Sequence, residues 1–287
     1  MALSEKIYDC AYLIPKSYLV QEFESNNPSN LAVVNSIGGV SNALPSCRKA
    51  IDQADFKAYR DSDPSYPDSA VMIKDLYPNE IHNAAQLVRN ELQHLGSTKD
   101  FKSSMKYIAV QHKARQMKIE SLAIELDNIS KKSNATIVFF AAGTAPGHDS
   151  FAIYKEVQAA MKEPSIVYET ENVWNVLGLI SQAEAILSTS LHVRIMAFLF
   201  LKPRVTWCSE EKHRHFIELW DAEDAPQCLE DISKTWLHLQ DYYGPTPKIS
   251  QKKTEIAYQN TTKKYLESFD KWSDMLRGNI ESSNGNY

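Results

Sequence analysis

Four cysteines in 287 residues (Cys10, Cys47, Cys208 and Cys228) stand apart, with no CxxC pair and no histidine at zinc-ligand spacing. That scarcity excludes a zinc ribbon or a dithiol redox motif and reads as reduced structural thiols, which fits a cytoplasmic protein. Long apolar runs are missing too. No stretch reaches the roughly 20 residues of a bilayer-spanning helix, and MALSEKIYDC has no apolar core of signal-peptide length. Positive excess is absent as well: 31 Lys and Arg against 36 Asp and Glu give a formal charge of −5. A broad nucleic-acid surface is therefore not expected, and any anion site must be a local pocket. GxxxxGK followed by Ser or Thr, HExxH and GxSxG do not occur, and no carboxylate cluster sits at ligand spacing. These gaps argue against a phosphate loop, a zinc centre and a nucleophile elbow, so neither a metal nor a cofactor is expected.

What is present centres on Ala183 to Trp207, AEAILSTSLHVRIMAFLFLKPRVTW. Ala185 to Thr189 is an apolar run ending in hydroxyls, as in a buried parallel strand reaching its carboxyl end. Leu191 to Leu201 is an almost continuously apolar helix that Lys202-Pro203 stops. Arg204 to Trp207 reads as the next strand. Ser188-Thr189-Ser190 forms a polar hinge, and His192 sits on the first helical turn. Ligands of open α/β sheets gather at strand carboxyl ends, and a helix N-terminus offers N–H groups to an anion. A hydroxyl that merely caps the helix and a histidine that merely packs fit the local pattern equally.

Strands are expected at 31–37, 56–60, 107–111, 136–140, 166–168, 185–187 and 204–207, with helices at 80–95, 115–131, 151–161, 173–181 and 191–201. Regular alternation of this kind predicts an α/β fold with Rossmann-like parallel sheets and flanking helices. GSTKDFKSS (96–104) reads as a linker, and the stretch beyond Glu210 is helical. The expected division is an abbreviated N-terminal Rossmann-like domain over 1–100, a complete one over 101–225, and C-terminal helices over 226–287 that pack back across both.

Several segments, read in order, resemble the polysaccharide pyruvyl transferase family. They are LAVVNSIGG (31–39), Arg60-Asp61, PDSA (67–70), YIAVQ (107–111), IVFFAAG (137–143) with Asp149, ENVWNVLGLISQAEAILSTSLH (171–192) and KPRVTW (202–207), with Lys212 just beyond. The resemblance implies a two-domain, glycosyltransferase-like (GT-B-like) architecture. It also implies transfer of the enolpyruvyl unit of phosphoenolpyruvate to a sugar as a ketal. The family motif Arg-Leu-His is Ser190-Leu191-His192 here, and serine cannot reproduce arginine's bidentate grip on an oxyanion. The glycine-rich opening strands of the family are not evident in residues 1–30.

By this resemblance Arg60 and His192 fall on donor-binding, catalytic positions. Ser190, Leu191, Arg194, Lys212, Gly38, Gly39, Asn35 and Asp149 are the substrate-binding candidates. Read alone, Arg60 fits a surface ion pair, Asp149 a helix cap, Lys212 with His213 and His215 a solvated KHRH run, and Gly38-Gly39 a turn. The implied partners are phosphoenolpyruvate and a saccharide acceptor, peripheral to polysaccharide assembly, with no nucleic acid and no membrane span; oligomerisation stays open. Two other readings stay open: a glycosyltransferase using a sugar nucleotide, and a degenerate, non-catalytic family member.

Overall fold

Buried parallel strands need apolar residues on both faces, because helices cover the sheet on both sides. YIAVQ, TIVF, SIV, AILS and RVT meet that requirement. In a computed structural model of the chain they form five strands of one sheet. The structure describes residues 31–34, 56–59, 67–96, 106–113, 118–143, 148–208, 210–244 and 246–284. The expectations for Asn35, Gly38, Gly39 and Arg60, and for the linker beyond Gly96, lie outside the described residues.

The chain divides into two compact units, Met1–Met72 with Gln259–Tyr287, and Ile73–Tyr258. In the first, β1 (Leu31–Val34) and β2 (Phe56–Tyr59) pair in parallel, Leu31 opposite Phe56 and Val34 opposite Tyr59. The second unit carries β3 (Tyr107–Gln111), β4 (Thr136–Phe139), β5 (Ser165–Val167), β6 (Ala185–Ser188) and β7 (Arg204–Thr206). Their order is β5-β4-β3-β6-β7 and every pairing is parallel. Strand order reverses beside β3, so the ends of β3, β4 and β6 form the crest where such sheets take ligands.

Helices α1 (Pro78–Gly96), α2 (Ile119–Ser133), α3 (Phe151–Ala160), α4 (Val173–Gln182) and α5 (Leu191–Leu199) surround this sheet, with α6 (Glu211–Leu219), α7 (Thr235–Tyr243) and α8 (Gln251–Asn284) after it. Side-chain alternation along β3 splits the core. Ile108 and Val110 join Leu122, Leu126, Phe139, Tyr154 and Leu239 in one buried cluster. On the other side, the Tyr107 hydroxyl donates to the Leu179 carbonyl of α4 at 2.6 Å. Helix α1 lies in the second unit and packs on α4. A Cβ on Gly178 would stand 2.7 Å from the backbone of Ala84 and Ala85, so only glycine allows this approach. Asn172 caps α4, accepting from Trp174 N–H at 2.9 Å.

Two expectations are corrected. Helix α5 stops at Leu199 rather than Leu201, because Leu201 takes a left-handed φ of 55° that ends the turn before Pro203. Cys208 and Cys228 are not reduced thiols; they form a disulfide across 20 residues. The cause is local pairing: Trp207 bridges Leu229 in parallel, and Leu229 N–H donates to the Thr206 carbonyl at 2.9 Å. The two flanking cysteines are thereby brought side by side, with Cα atoms 5.3 Å apart. Among the described residues, no helix is long and apolar enough to cross a membrane.

Candidate functional site

Gln111, the last residue of β3, is buried and ties three strand ends together. Its amide Nε2 donates to Asp149 Oδ1 at 2.7 Å, and its Oε1 accepts from Thr189 N–H at 3.1 Å. Asp149 Oδ2 in turn accepts from the backbone N–H groups of Ala142 at 2.7 Å and Gly143 at 3.3 Å, fixing the loop after β4. Thr189 Oγ1 accepts from Lys113 N–H at 2.9 Å. One polar chain thus runs from the β4 loop through β3 to the start of α5. Burial pushes the Asp149 carboxyl above the usual carboxylate range, against the lowering effect of its hydrogen bonds.

Lys113 and Glu210 emerge from the ends of β3 and β7, on either side of β6. Lys113 Nζ meets Glu210 Oε1 at 2.5 Å, so their bridge crosses the end of β6, where Thr189 and Ser190 lead into α5. Lys212 Nζ takes the other carboxylate oxygen at 2.8 Å. Hydrogen bonds from Lys113 and Lys212 hold the Glu210 carboxyl down to about 2. Ser190 is the N-cap residue of α5, yet its side chain makes no capping hydrogen bond. The apolar face of α6 is His213, Phe216 and Ile217, at helical i, i+3, i+4 spacing, and it turns the His213 ring inward. His213 is 1% exposed, and neither ring nitrogen has a hydrogen-bond partner. Each such buried polar atom costs about 1–3 kcal/mol. Burial and the neighbouring Lys212 charge push this imidazole down to about 4, so the ring is neutral at pH 7. His112 is also buried; its Nδ1 donates to the Lys113 carbonyl at 2.9 Å and its ring lies 5.5 Å from that of Trp207.

Ser190, Leu191, His192, Lys212 and Asp149 therefore all lie at the carboxyl-terminal crest of the sheet. His192 is exposed on the first turn of α5, and Leu191 is half-buried beside it. Asp149 is committed to the β4 loop, and the capping role considered for it falls to Ser150, whose Oγ accepts from Ile153 N–H at 3.5 Å. Arg194 requires a correction. Its guanidinium is fully buried and donates to Asp221 Oδ2 at 2.8 Å, Thr206 Oγ1 at 3.0 Å and the Pro226 carbonyl at 2.9 Å. It points into the protein because Asp221 is there to pair it, so it is not at the helix-terminal surface. His213 is corrected as well, from exposed to buried, while His215 is exposed as expected. Sequence reasoning singled out Thr189 only as part of the polar hinge and passed over Gln111, His112, Lys113 and Glu210.

Two other features bear on the site's limits. A groove of about 980 Å³ runs along α1, lined by Lys74, His82, Arg89 and Gln182 among others, and none of the crest residues lines it. Among the described residues no group of three or more His, Cys, Asp or Glu side chains is placed to hold a metal ion.

The fold is similar to that of the S. aureus MnaA–UDP co-structure, at 12% identity and a TM-score of 0.50 over 82% of this chain and 69% of that one. A UDP-GlcNAc 2-epimerase from Neisseria meningitidis bound to UDP-GlcNAc gives 13% identity and a TM-score of 0.49 over 83% of this chain and 67% of that one. A UDP-forming α,α-trehalose-phosphate synthase from Burkholderia xenovorans gives 12% and 0.46, over 87% and 67%. At these identities the likeness concerns the fold alone. The sheet and the first of these likenesses define a Rossmann-like, GT-B-like α/β enzyme fold. No curated protein matches the chain significantly. Residues 53–209 match the family described as Polysaccharide pyruvyl transferase. That is more than half of the 287 residues, and the protein belongs to this family of transferases.

Proposed function

We propose that this chain transfers the enolpyruvyl unit of phosphoenolpyruvate to a hydroxyl pair of a saccharide, forming a pyruvate ketal. The family match over residues 53–209 carries the proposal, because it ends at the strand ends where the basic and hydroxyl side chains collect. Protonation of the methylene carbon makes the carbon bearing the phosphate electrophilic. One sugar hydroxyl adds there and loses its proton, phosphate departs with its bridging oxygen, and the second hydroxyl closes the ketal. The reaction needs cationic groups for the donor's phosphate and carboxylate, an acid for the methylene carbon and a base for the hydroxyls. His192, exposed beside the α5 terminus, is our candidate donor ligand or acid, with Lys212 on the same crest and Arg60 implied by family resemblance. Ser190 replaces the motif arginine, so this chain must draw its positive charge from elsewhere on the crest.

The expectation of cytoplasmic residence rests on reduced cysteines and on the lack of a signal-peptide core in MALSEKIYDC. The Cys208–Cys228 disulfide supports instead a compartment that oxidises thiols, since cytosolic glutathione and thioredoxin keep most such pairs reduced.

Incubating the full chain with phosphoenolpyruvate and a panel of glycans tests the proposal. The expected result is the mass increment of a pyruvate ketal with matching phosphate release, both lost in His192→Ala. A sugar nucleotide consumed in place of phosphoenolpyruvate would replace this reading with glycosyl transfer. Neither reaction, with neither donor bound, would favour the degenerate member.

A further inference from the structure

Glu210 shares its carboxylate between two lysines that come from different parts of the sheet. Lys113 follows β3 and Lys212 opens α6, and the pair straddles the end of β6. An ammonium group has three donors, so each lysine can still reach a further oxygen. Both heads are solvent-accessible, with Lys113 25% and Lys212 51% exposed along the side chain, and Glu210 39%. His213 follows Lys212 in the chain and is buried, and the charges acting on its ring are those of Lys212, Glu210 and Lys113. Buried polar atoms are nearly always paired, so two unpartnered ring nitrogens next to this half-exposed ion cluster call for an explanation. Helix α5 adds partial positive charge at its start, where the Ser190 side chain contributes no cap.

We infer that Lys113, Lys212 and His213 form an oxyanion site above the α5 N-terminus, and that the Glu210 carboxylate is its internal occupant, displaced when a phosphate group binds. Two lysines and one carboxylate leave one net positive charge. Exchanging that carboxylate for a phosphate dianion neutralises the pair, which a second carboxylate would not do. The internal carboxylate also keeps the site from closing around stray anions, because an incoming group must outcompete it. The attribution of the anion to a phosphoenolpyruvate phosphate rests on the proposed function; the site itself does not.

Titration of inorganic phosphate into the full chain and its variants tests this. Glu210→Gln removes the competing charge, and phosphate should then bind at least about tenfold more tightly. Lys113→Ala should weaken binding by a similar factor. In the wild-type chain, ring proton resonances of His213 should shift on adding phosphate, a readout that needs no variant to fold. Pyruvate, titrated in parallel, should gain less than phosphate from Glu210→Gln. Phosphate binding that Glu210→Gln leaves unchanged or weaker, in a variant with a normal unfolding transition, overturns the inference. So does an unmoved His213 at saturating phosphate, or a gain for pyruvate alone. The arms separate from the catalytic reading: phosphate behaving as expected without ketal formation keeps the site and discards pyruvyl transfer. Ketal formation with no effect of Glu210→Gln on phosphate does the reverse.

Discussion

Two clusters of opposite character are built on one pattern, a carboxylate shared by two cations. In the first, Asp221 sits between Arg194 and Arg204, with all three side chains at 0–1% exposure. Every arm is committed: Arg194 also reaches Thr206 and Pro226, Arg204 reaches the Lys202 carbonyl at 3.0 Å, and Asp221 Oδ1 accepts from Ala222 N–H at 2.8 Å. Burial opposes ionisation of Asp221, but the two guanidiniums outweigh it and hold the carboxyl below its ordinary range. In the second, Glu210 sits between Lys113 and Lys212, in reach of solvent, and the buried histidine that follows Lys212 has no partner. Arginines in the first supply planar, saturated forks; lysines in the second supply point charges that can change partner. The same pairing is structural where it is dry and complete, and exchangeable where it is wet and incomplete. Each takes its carboxylate from the segment closed by the Cys208–Cys228 disulfide.

The largest difference should come from removing each carboxylate in turn. Asp221→Ala leaves two guanidiniums buried without a counter-charge and should cost about 3–5 kcal/mol in urea unfolding, enough to abolish soluble expression if stability is ordinary. Opening the disulfide with Cys208→Ser and Cys228→Ser releases a loop of 20 residues and should cost about 2–4 kcal/mol. That loss should appear as a lower melting temperature. Changing the pH should then separate His213 from the two carboxylates by window, since Asp221 and Glu210, both held below their ordinary range, lose their contribution only at lower pH. His213 titrates near 4 when folded and near the ordinary 6.5 when unfolded, so the unfolded chain binds more protons between those values. Stability should fall by up to about 3 kcal/mol as pH drops from 6.5 to 4, with His112, also lowered by burial, acting in the same direction. A flattened slope in His213→Leu confirms the source; an unchanged slope assigns it elsewhere. The smallest effect should be that of Glu210→Gln, within about 1 kcal/mol, as expected for a half-exposed ion pair. A cost as large as that of Asp221→Ala would erase the distinction between the two clusters.

Much of the second unit's sheet was legible in the sequence because strands buried on both faces read as short apolar runs, and helices between them repeat at 3.6 residues. The bounds of β3 through β7 lie within one residue of expectation. The placement of the candidates Ser190 and His192 at a strand end was legible for the same reason, whereas Lys212 was a candidate by family resemblance alone. Lys113 and Glu210 were not legible, since 97 residues separate them and only the order β3-β6-β7 brings them together. Two misread residues carried a usable signal. His213 shares a helical face with Phe216 and Ile217, which marks it as inward-facing within the charged KHRH run. Arg194 interrupts a helix that is buried from Val193 to Leu199, so it needed a buried carboxylate, and Asp221 supplies it. The disulfide went unseen because a spacing of 20 has no motif; strand-like pairing of Trp207 with Leu229 creates it.

Calorimetric titration of phosphoenolpyruvate into the full chain, beside His192→Ala, tests the central claim before any acceptor is known. Saturable binding by the wild-type chain that is lost in His192→Ala is the predicted result. No heat of binding, or binding that His192→Ala leaves intact, would contradict the assignment of the α5 terminus as the donor site.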